Sequence, residues 1–202
     1  ELKMKVVIIR YNAGNIDSVS NALLRMGIHA EITGDHDKIR SADKVIFPGV
    51  GEASTTMEYL VSNGLDRVIT GLRQPVLGIC LGLQLLCTGS EEGNTPCLGI
   101  FSEKVRKLSP EPERKFIDKV PHMGWNSIHQ LKNGIFSSDM ESRFVYFVHS
   151  YYAETGENTA AVCSYITPFS AALRKGNFYA TQFHPEKSGE IGAGILWNFV
   201  KL

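Results

Sequence analysis

The sequence predicts an α/β protein: an open, mostly parallel sheet with helices on both faces and additional β-strands in the second half. Three observations point there. Strand-like and helix-like runs alternate from Met4 to Thr88, the rhythm of a parallel sheet with crossover helices. One junction, Gly78-Ile79-Cys80-Leu81-Gly82, passes from a buried apolar run straight into a helical one. After Phe101 the pattern changes to short β-like runs separated by turn residues.

The elements follow in order. Met4 to Ile9 is apolar and β-branched, a buried first strand. Asn12 to Asn15 make a turn. Asn15 is placed to cap a helix in which Ile16, Val19, Leu23 and Leu24 form one apolar stripe, ended by Gly27. Ile28 to Ile32 is a second strand; Lys44 to Phe47 is a third, stopped by Pro48. Met57 to Leu72 is helical in pattern but broken at Gly64. Val76 to Ile79 is the fourth strand and Leu81 to Thr88 its helix. In the second half Glu103 to Leu108, Phe144 to Val148, Ala160 to Ile166 and Ala171 to Arg174 read as antiparallel or mixed extension of the same sheet, with a solvated loop at Ser109 to Glu113. Phe178 to Phe183 is a further strand. Ser188 is placed to cap a last helix with Ile191, Ile195 and Phe199 on one face, beside Leu196 and Val200. Residues 1–202 read as one domain, with residues 1–3 set aside from the fold argument.

Composition narrows the function. The chain of 202 residues is 43% hydrophobic and 21% charged, which suits a globular domain with a substantial core. Lys+Arg and Asp+Glu stand at 21 each, so no basic field points to nucleic acid or an anionic membrane. No apolar run approaches the ~18–20 residues of a membrane helix. Cys80, Cys87, Cys97 and Cys163 form no Cys-x-x-Cys pair, which argues against a structural zinc site. With no signal-peptide pattern, they predict reduced thiols in the cytoplasm.

Cys80 is the candidate nucleophile. Glycines two residues away on each side fit a nucleophile elbow, the sharp strand-to-helix turn that lifts one side chain out of a sheet. The following helix aims its free N–H groups and positive dipole end at the sulfur, which favours the thiolate. A thiol nucleophile also needs a base, an acceptor to orient that base, and donors for an oxyanion. Of six histidines, His184 leaves an apolar strand and is followed by Pro185-Glu186. Pro185 favours extended geometry at His184, and positions two apart then face the same way, so His184 and Glu186 can meet. In a parallel sheet both strands' C-terminal ends open onto one edge. For the oxyanion, Pro48-Gly49-Val50-Gly51 follows the third strand with two glycines that permit close approach, and the N–H of Leu81 is the other natural donor.

These motifs, Pro48 to Gly51, Gly78 to Gln84 and Gln182 to Glu186, closely resemble in order and spacing the class I, triad-type glutamine amidotransferases, over nearly the whole chain. Asn12 to Asn15, Pro121 to Asn126, Tyr146 to Tyr151 and Phe183 to Gly189 resemble in particular the glutaminase subunits of imidazole glycerol phosphate synthase. One segment departs from the pattern: Arg10 stands where Asp is usual and Asn12 where Gly is usual.

The resemblance implies a flavodoxin-like fold and a Cys80–His184–Glu186 triad hydrolysing L-glutamine through a thioester. It implies oxyanion donors at Val50 or Gly51 and Leu81. Gln84, Gly49 and His149-Ser150-Tyr151 would contact the substrate, and no metal or organic cofactor would be needed. The implied partner is a cyclase subunit, a (β/α)8 barrel forming a heterodimer, with Trp125, Asn126 and Lys187 as candidates for the docking surface. The competing readings are a glutaminase serving another aminating pathway, a stand-alone γ-glutamyl cysteine hydrolase, and a binding subunit that kept the fold without the chemistry.

Overall fold

The computed structural model describes residues 4–12 and 15–202; of the turn expected at Asn12–Asn15, Ala13 and Gly14 lie outside the described residues. In the first half, β1 (Val6–Ile9), α1 (Ile16–Arg25), β2 (Ala30–Thr33), α2 (His36–Arg40), β3 (Lys44–Phe47), α3 (Ala53–Ser62), α4 (Leu65–Thr70), β4 (Val76–Ile79) and α5 (Leu81–Leu86) follow one another. Then come β5 (Gly89–Ser90), β6 (Thr95–Pro96), β7 (Lys104–Lys107), β8 (His122–Ser127), β9 (Phe144–His149), β10 (Tyr151–Ala153), β11 (Thr159–Tyr165), β12 (Thr167–Lys175), β13 (Phe178–Thr181) and α6 (Gly189–Val200).

Seven strands form the main sheet in the order β11-β12-β13-β4-β3-β1-β2. The run from β13 to β2 is parallel, and β11 and β12 add antiparallel at one side. Strands β1, β3, β4 and β13 are buried at every position, as continuous apolar runs in a sheet covered on both faces must be. Alternation sorts their side chains into two cores. Val6, Ile8, Ile46, Leu77 and Ile79 pack with Val19 and Leu23 of α1 and Ile195 and Phe199 of α6. Val7, Ile9, Val45, Phe47 and Val76 pack with Ile39, Leu60, Val68 and Leu86 of the helices opposite.

The parallel half matches the sequence reading, with local differences. Leu24 is exposed, so the stripe of α1 is Ile16, Val19 and Leu23. The interruption expected at Gly64 makes two helices, α3 and α4, and Gly64 starts the second at φ 68°. Helix α2 went unforeseen; Asp35 caps it by accepting the Lys38 N–H at 2.9 Å. Helix α5 stops at Leu86 rather than Thr88, because the Thr88 N–H turns to the Glu103 carbonyl, 3.2 Å away.

The second half corrects the expectation of one extended sheet. Of the four runs expected to extend the sheet, only β11 and β12 join it, beside β13. Strands β10, β7, β5 and β6 form a four-stranded sheet of their own, and β8 and β9 a separate antiparallel ribbon. Burial explains the separation. Strand β7 buries one residue fully, and β9 alternates buried with exposed or half-buried positions; neither pattern suits the middle of a sheet covered on both sides. Among the described residues no helix is long and apolar enough to cross a membrane.

Candidate active site

The expected site residues come from the carboxyl ends of parallel strands. Asn15 follows β1, Gly49 follows β3, Cys80 follows β4 and His184 follows β13. An open α/β sheet builds sites at this edge because the chain leaves each strand there and can diverge around a crevice.

Cys80 turns from β4 into α5 at φ 54°, ψ −108°, a strained conformation for a residue with a side chain. The flanking glycines explain how the turn fits. A Cβ at Gly82 would collide with the Phe47 carbonyl oxygen, and one at Gly78 would sit 2.8 Å from Leu86 Cδ1. The elbow is therefore wedged between β3 and its own helix, and the Cys80 N–H is tied to the Thr181 carbonyl of β13 at 2.8 Å.

His184 and Glu186 form a buried pair, with Nδ1 and Oε1 2.7 Å apart and the two side chains 1% and 0% exposed. Burial disfavours the charged imidazole, but the Glu186 hydrogen bond and the negative charge at Cys80 and Glu186 outweigh it and raise the ring's pKa to about 10. No aligned hydrogen bond joins the sulfur to the ring, whose Nε2 has no bonded partner. Among the described residues three buried side-chain polar atoms lack a partner, and two of them are His184 Nε2 and Glu186 Oε2. Such orphans are rare away from working sites.

A cleft of about 260 Å³ lies over the elbow. Val50, Gly51, Cys80 and Leu81 line one side; Val148, His149, Ser150 and Tyr151 line the other; Gln84 and Glu92 complete it. Roomier grooves of about 440 Å³ elsewhere contain neither Cys80 nor a histidine beside it.

The expected residues do not all stand ready. The Leu81 N–H donates to the Gly49 carbonyl at 3.2 Å, so in this conformation it is not open to an oxyanion. Gly49 does not itself line the cleft; it packs beneath Leu81 and Gly82 and against the Tyr11 hydroxyl. Gln84 spends both amide hydrogens inside the protein, on the Tyr151 carbonyl at 2.9 Å and Gln182 Oε1 at 3.0 Å. Only its carbonyl oxygen is left for a ligand. Trp125 is 56% exposed on β8, edge-on to Tyr146. Asn126 is partly buried, and Lys187 is exposed in the turn after His184.

Several residues at the site escaped the sequence reading. Asn15 was expected to cap α1; it makes no side-chain cap, and its Nδ2 donates to Glu186 Oε1 at 2.9 Å. Ser188 likewise does not cap α6. Its hydroxyl donates to the His184 carbonyl and accepts the Tyr146 N–H. Gln182 Nε2 lies 3.7 Å from Cys80 Sγ; a glutamine in an otherwise apolar strand was the available signal. Glu92 had none, since it reaches the cleft from a distant loop. Tyr11 donates its hydroxyl to the Pro48 carbonyl. Burial, then the charge at Cys80, raise its pKa well above the phenol range.

An elbow thiol beside an imidazole backed by a carboxylate, at the carboxyl edge of a parallel sheet, is the architecture of a triad-type amidotransferase. The family described as glutamine amidotransferase class-I matches residues 7–202. This chain is 61% identical over 199 residues to a protein named imidazole glycerol phosphate synthase subunit HisH from Bacteroides fragilis (strain YCH46), covering 98% of this chain and 100% of that one. It is 46% identical to the protein of the same name from Pasteurella multocida (strain Pm70), covering 97% of each. In fold it matches the structure of PurLQS from Thermotoga maritima with a TM-score of 0.69 at 16% identity, over 99% of each chain. The chain belongs to the class-I glutamine amidotransferase family and is a glutamine amidotransferase.

Proposed function

We propose that this enzyme is the glutaminase subunit of an imidazole glycerol phosphate synthase, hydrolysing L-glutamine to glutamate and ammonia through a Cys80 thioester. Cys80 thiolate attacks the side-chain amide carbon. His184, oriented by Glu186, protonates the departing ammonia and then activates the water that releases glutamate. The observation that carries this reading is the buried, hydrogen-bonded His184–Glu186 pair beside a thiol held at a strained elbow. Glu92 and the free oxygen of Gln84 are both acceptors, a combination suited to the substrate's α-ammonium group.

The blocked Leu81 amide fits a subunit that waits for a partner. The Gly49 carbonyl and the Val50 N–H belong to one peptide plane and point opposite ways. Turning that plane over, a rotation about ψ of Gly49 and φ of Val50, would free the Leu81 N–H and bring the Val50 N–H to the cleft together, and Gly49, with no side chain, can take up its half of the turn. The partner is a cyclase subunit, a (β/α)8 barrel that uses the ammonia, docking over Trp125, Asn126 and Lys187. Its relatives' names as synthase subunits support that assembly.

The test is covalent labelling with a diazo-ketone analogue of glutamine, followed by peptide mapping. Cys80 should be labelled stoichiometrically. Cys87 and Cys163 are buried, and burial raises the Cys97 and Cys163 thiols to about 11 and about 12 and pushes Cys87 up as well. All three should stay unlabelled. Labelling spread over the four thiols, with none favoured by the analogue, would refute the reading.

A further inference from the structure

A hydrogen-bonded pair of histidines that the chemistry above does not use runs inward from the cleft wall, where His149 lines it. His122 on β8 and His149 on β9 are opposite one another in the ribbon, and both are buried. His122 Nδ1 and His149 Nε2 are 2.9 Å apart, and His149 Nδ1 is 2.7 Å from the Tyr151 carbonyl. On the outer side, Asn126 Nδ2 lies 3.2 Å from the Ser164 carbonyl and 3.4 Å from His122 Nε2.

One arrangement of protons satisfies every member. The Tyr151 carbonyl can only accept, so His149 Nδ1 carries a hydrogen. A neutral His149 then offers a lone pair at Nε2, so His122 Nδ1 must donate to it. His122 Nε2 is left as an acceptor, and the Asn126 amide, oriented by the Ser164 carbonyl, supplies its donor. Burial keeps both rings neutral, lowering His149 to about 3 and His122 to about 4. The His122 ring is also gripped on both faces, with centroids 4.1 Å from Tyr165 at 12° and 4.8 Å from Phe147 at 23°. It has little freedom to tilt or flip.

The far end of this chain of bonds is the nucleophile's surroundings. The Tyr151 carbonyl that His149 holds also receives the Gln84 amide; Gln84 binds Gln182, and the Gln182 amide faces the Cys80 sulfur. We infer that His122 is a positioning residue: it locks the Nδ1–H tautomer of His149 and so holds the Ser150–Tyr151 wall of the cleft in register for glutamine. If the lock is lost, His149 can take the other tautomer, which sets its Nδ1 lone pair against the Tyr151 carbonyl and drives the two apart. This inference rests on the glutaminase reading for its substrate but not for its tautomer.

The test compares His122→Phe with His122→Asn in the full chain. Phenylalanine keeps the stack between Tyr165 and Phe147 and removes the donor; asparagine returns an amide donor near the place of Nδ1. The half-saturating concentration of the diazo-ketone analogue should rise about tenfold in His122→Phe, the scale of one neutral hydrogen bond. Capping of Cys80 by iodoacetamide, which needs no glutamine recognition, should change less than about twofold. His122→Asn should recover most of the loss. A second arm reads nitrogen-15 shifts of His149: one Nδ1–H tautomer in the unaltered chain, a mixture in His122→Phe and, more weakly, in Asn126→Ala. An unchanged half-saturating concentration in His122→Phe, equal losses in both His122 variants, or a single His149 tautomer throughout would overturn the inference. Failure of the unaltered chain to be labelled at Cys80 would instead sink the glutaminase reading, and the His149 spectra would then decide the role of His122 alone.

Discussion

At His184 two physical effects oppose each other. Burial pushes the ring toward neutrality; the Cys80 sulfur and the Glu186 carboxylate pull it toward the imidazolium, and together they win, at about 10. Because this pKa is raised above the ordinary value of about 6.5, the stability it contributes is present in full below about pH 6.5 and lost as pH climbs through about 10. Removing one anion should shift the balance. In Cys80→Ser the imidazole pKa should fall below its value in the unaltered chain, and carbon-13 titration of the His184 ring would register it. No change would mean that the sulfur does not interact with the ring. Cys80, His184 and Glu186 were legible because each sits in a short motif whose local geometry repeats wherever it occurs. Asn15 was not. Its amide reaches Glu186 from the other end of the chain, and an asparagine before a helix reads as a cap until the strands are side by side.

Among the elements, the junction of β4 and α5 is the most constrained. Gly82 lies against the Phe47 carbonyl at the end of β3, a main-chain group that cannot swing aside as a side chain would. Gly82→Ala should therefore destabilise the fold by about 1–3 kcal/mol, the usual cost of overpacking, and slow alkylation of Cys80 as the elbow shifts. Urea denaturation of the variant would check this, and an unchanged midpoint would contradict the wedge. Periodicity predicted β1, β3 and β4 well because each is buried on both faces and reads as an unbroken apolar run. It predicted the sheet membership of β7 and β9 poorly. Pattern tells how many faces of a strand are covered, not which neighbour does the covering.

For the molecule as a whole, the expected consequence is dependence on a partner. With the Leu81 amide held by Gly49, the chain alone should hydrolyse glutamine slowly. Addition of a cyclase subunit carrying its nucleotide ligand should raise kcat by more than tenfold with a smaller change in KM, since an oxyanion donor acts on the transition state more than on bound substrate. Steady-state assays with and without liganded cyclase measure this, and equal turnover would refute the peptide rotation. Trp125→Ala, on the exposed face of β8, should weaken the stimulation while leaving the slow rate of the isolated chain intact.

The order of strands and helices in the first half and the elbow at Cys80 were set by neighbours in the chain, through apolar rhythm and glycine placement; Glu186 reaches His184 from a 3-10 turn at Pro185–Lys187, not from the extended chain expected. Contacts between distant segments settled the rest: the Asn15–Glu186 bond, the arrival of Glu92 in the cleft, the stacked and tautomerically locked His122, and the Gly49 carbonyl on the Leu81 amide. A hydrogen bond depends on where two groups finish in space, and for residues far apart in the chain that position is created by the packing of the sheet and its helices.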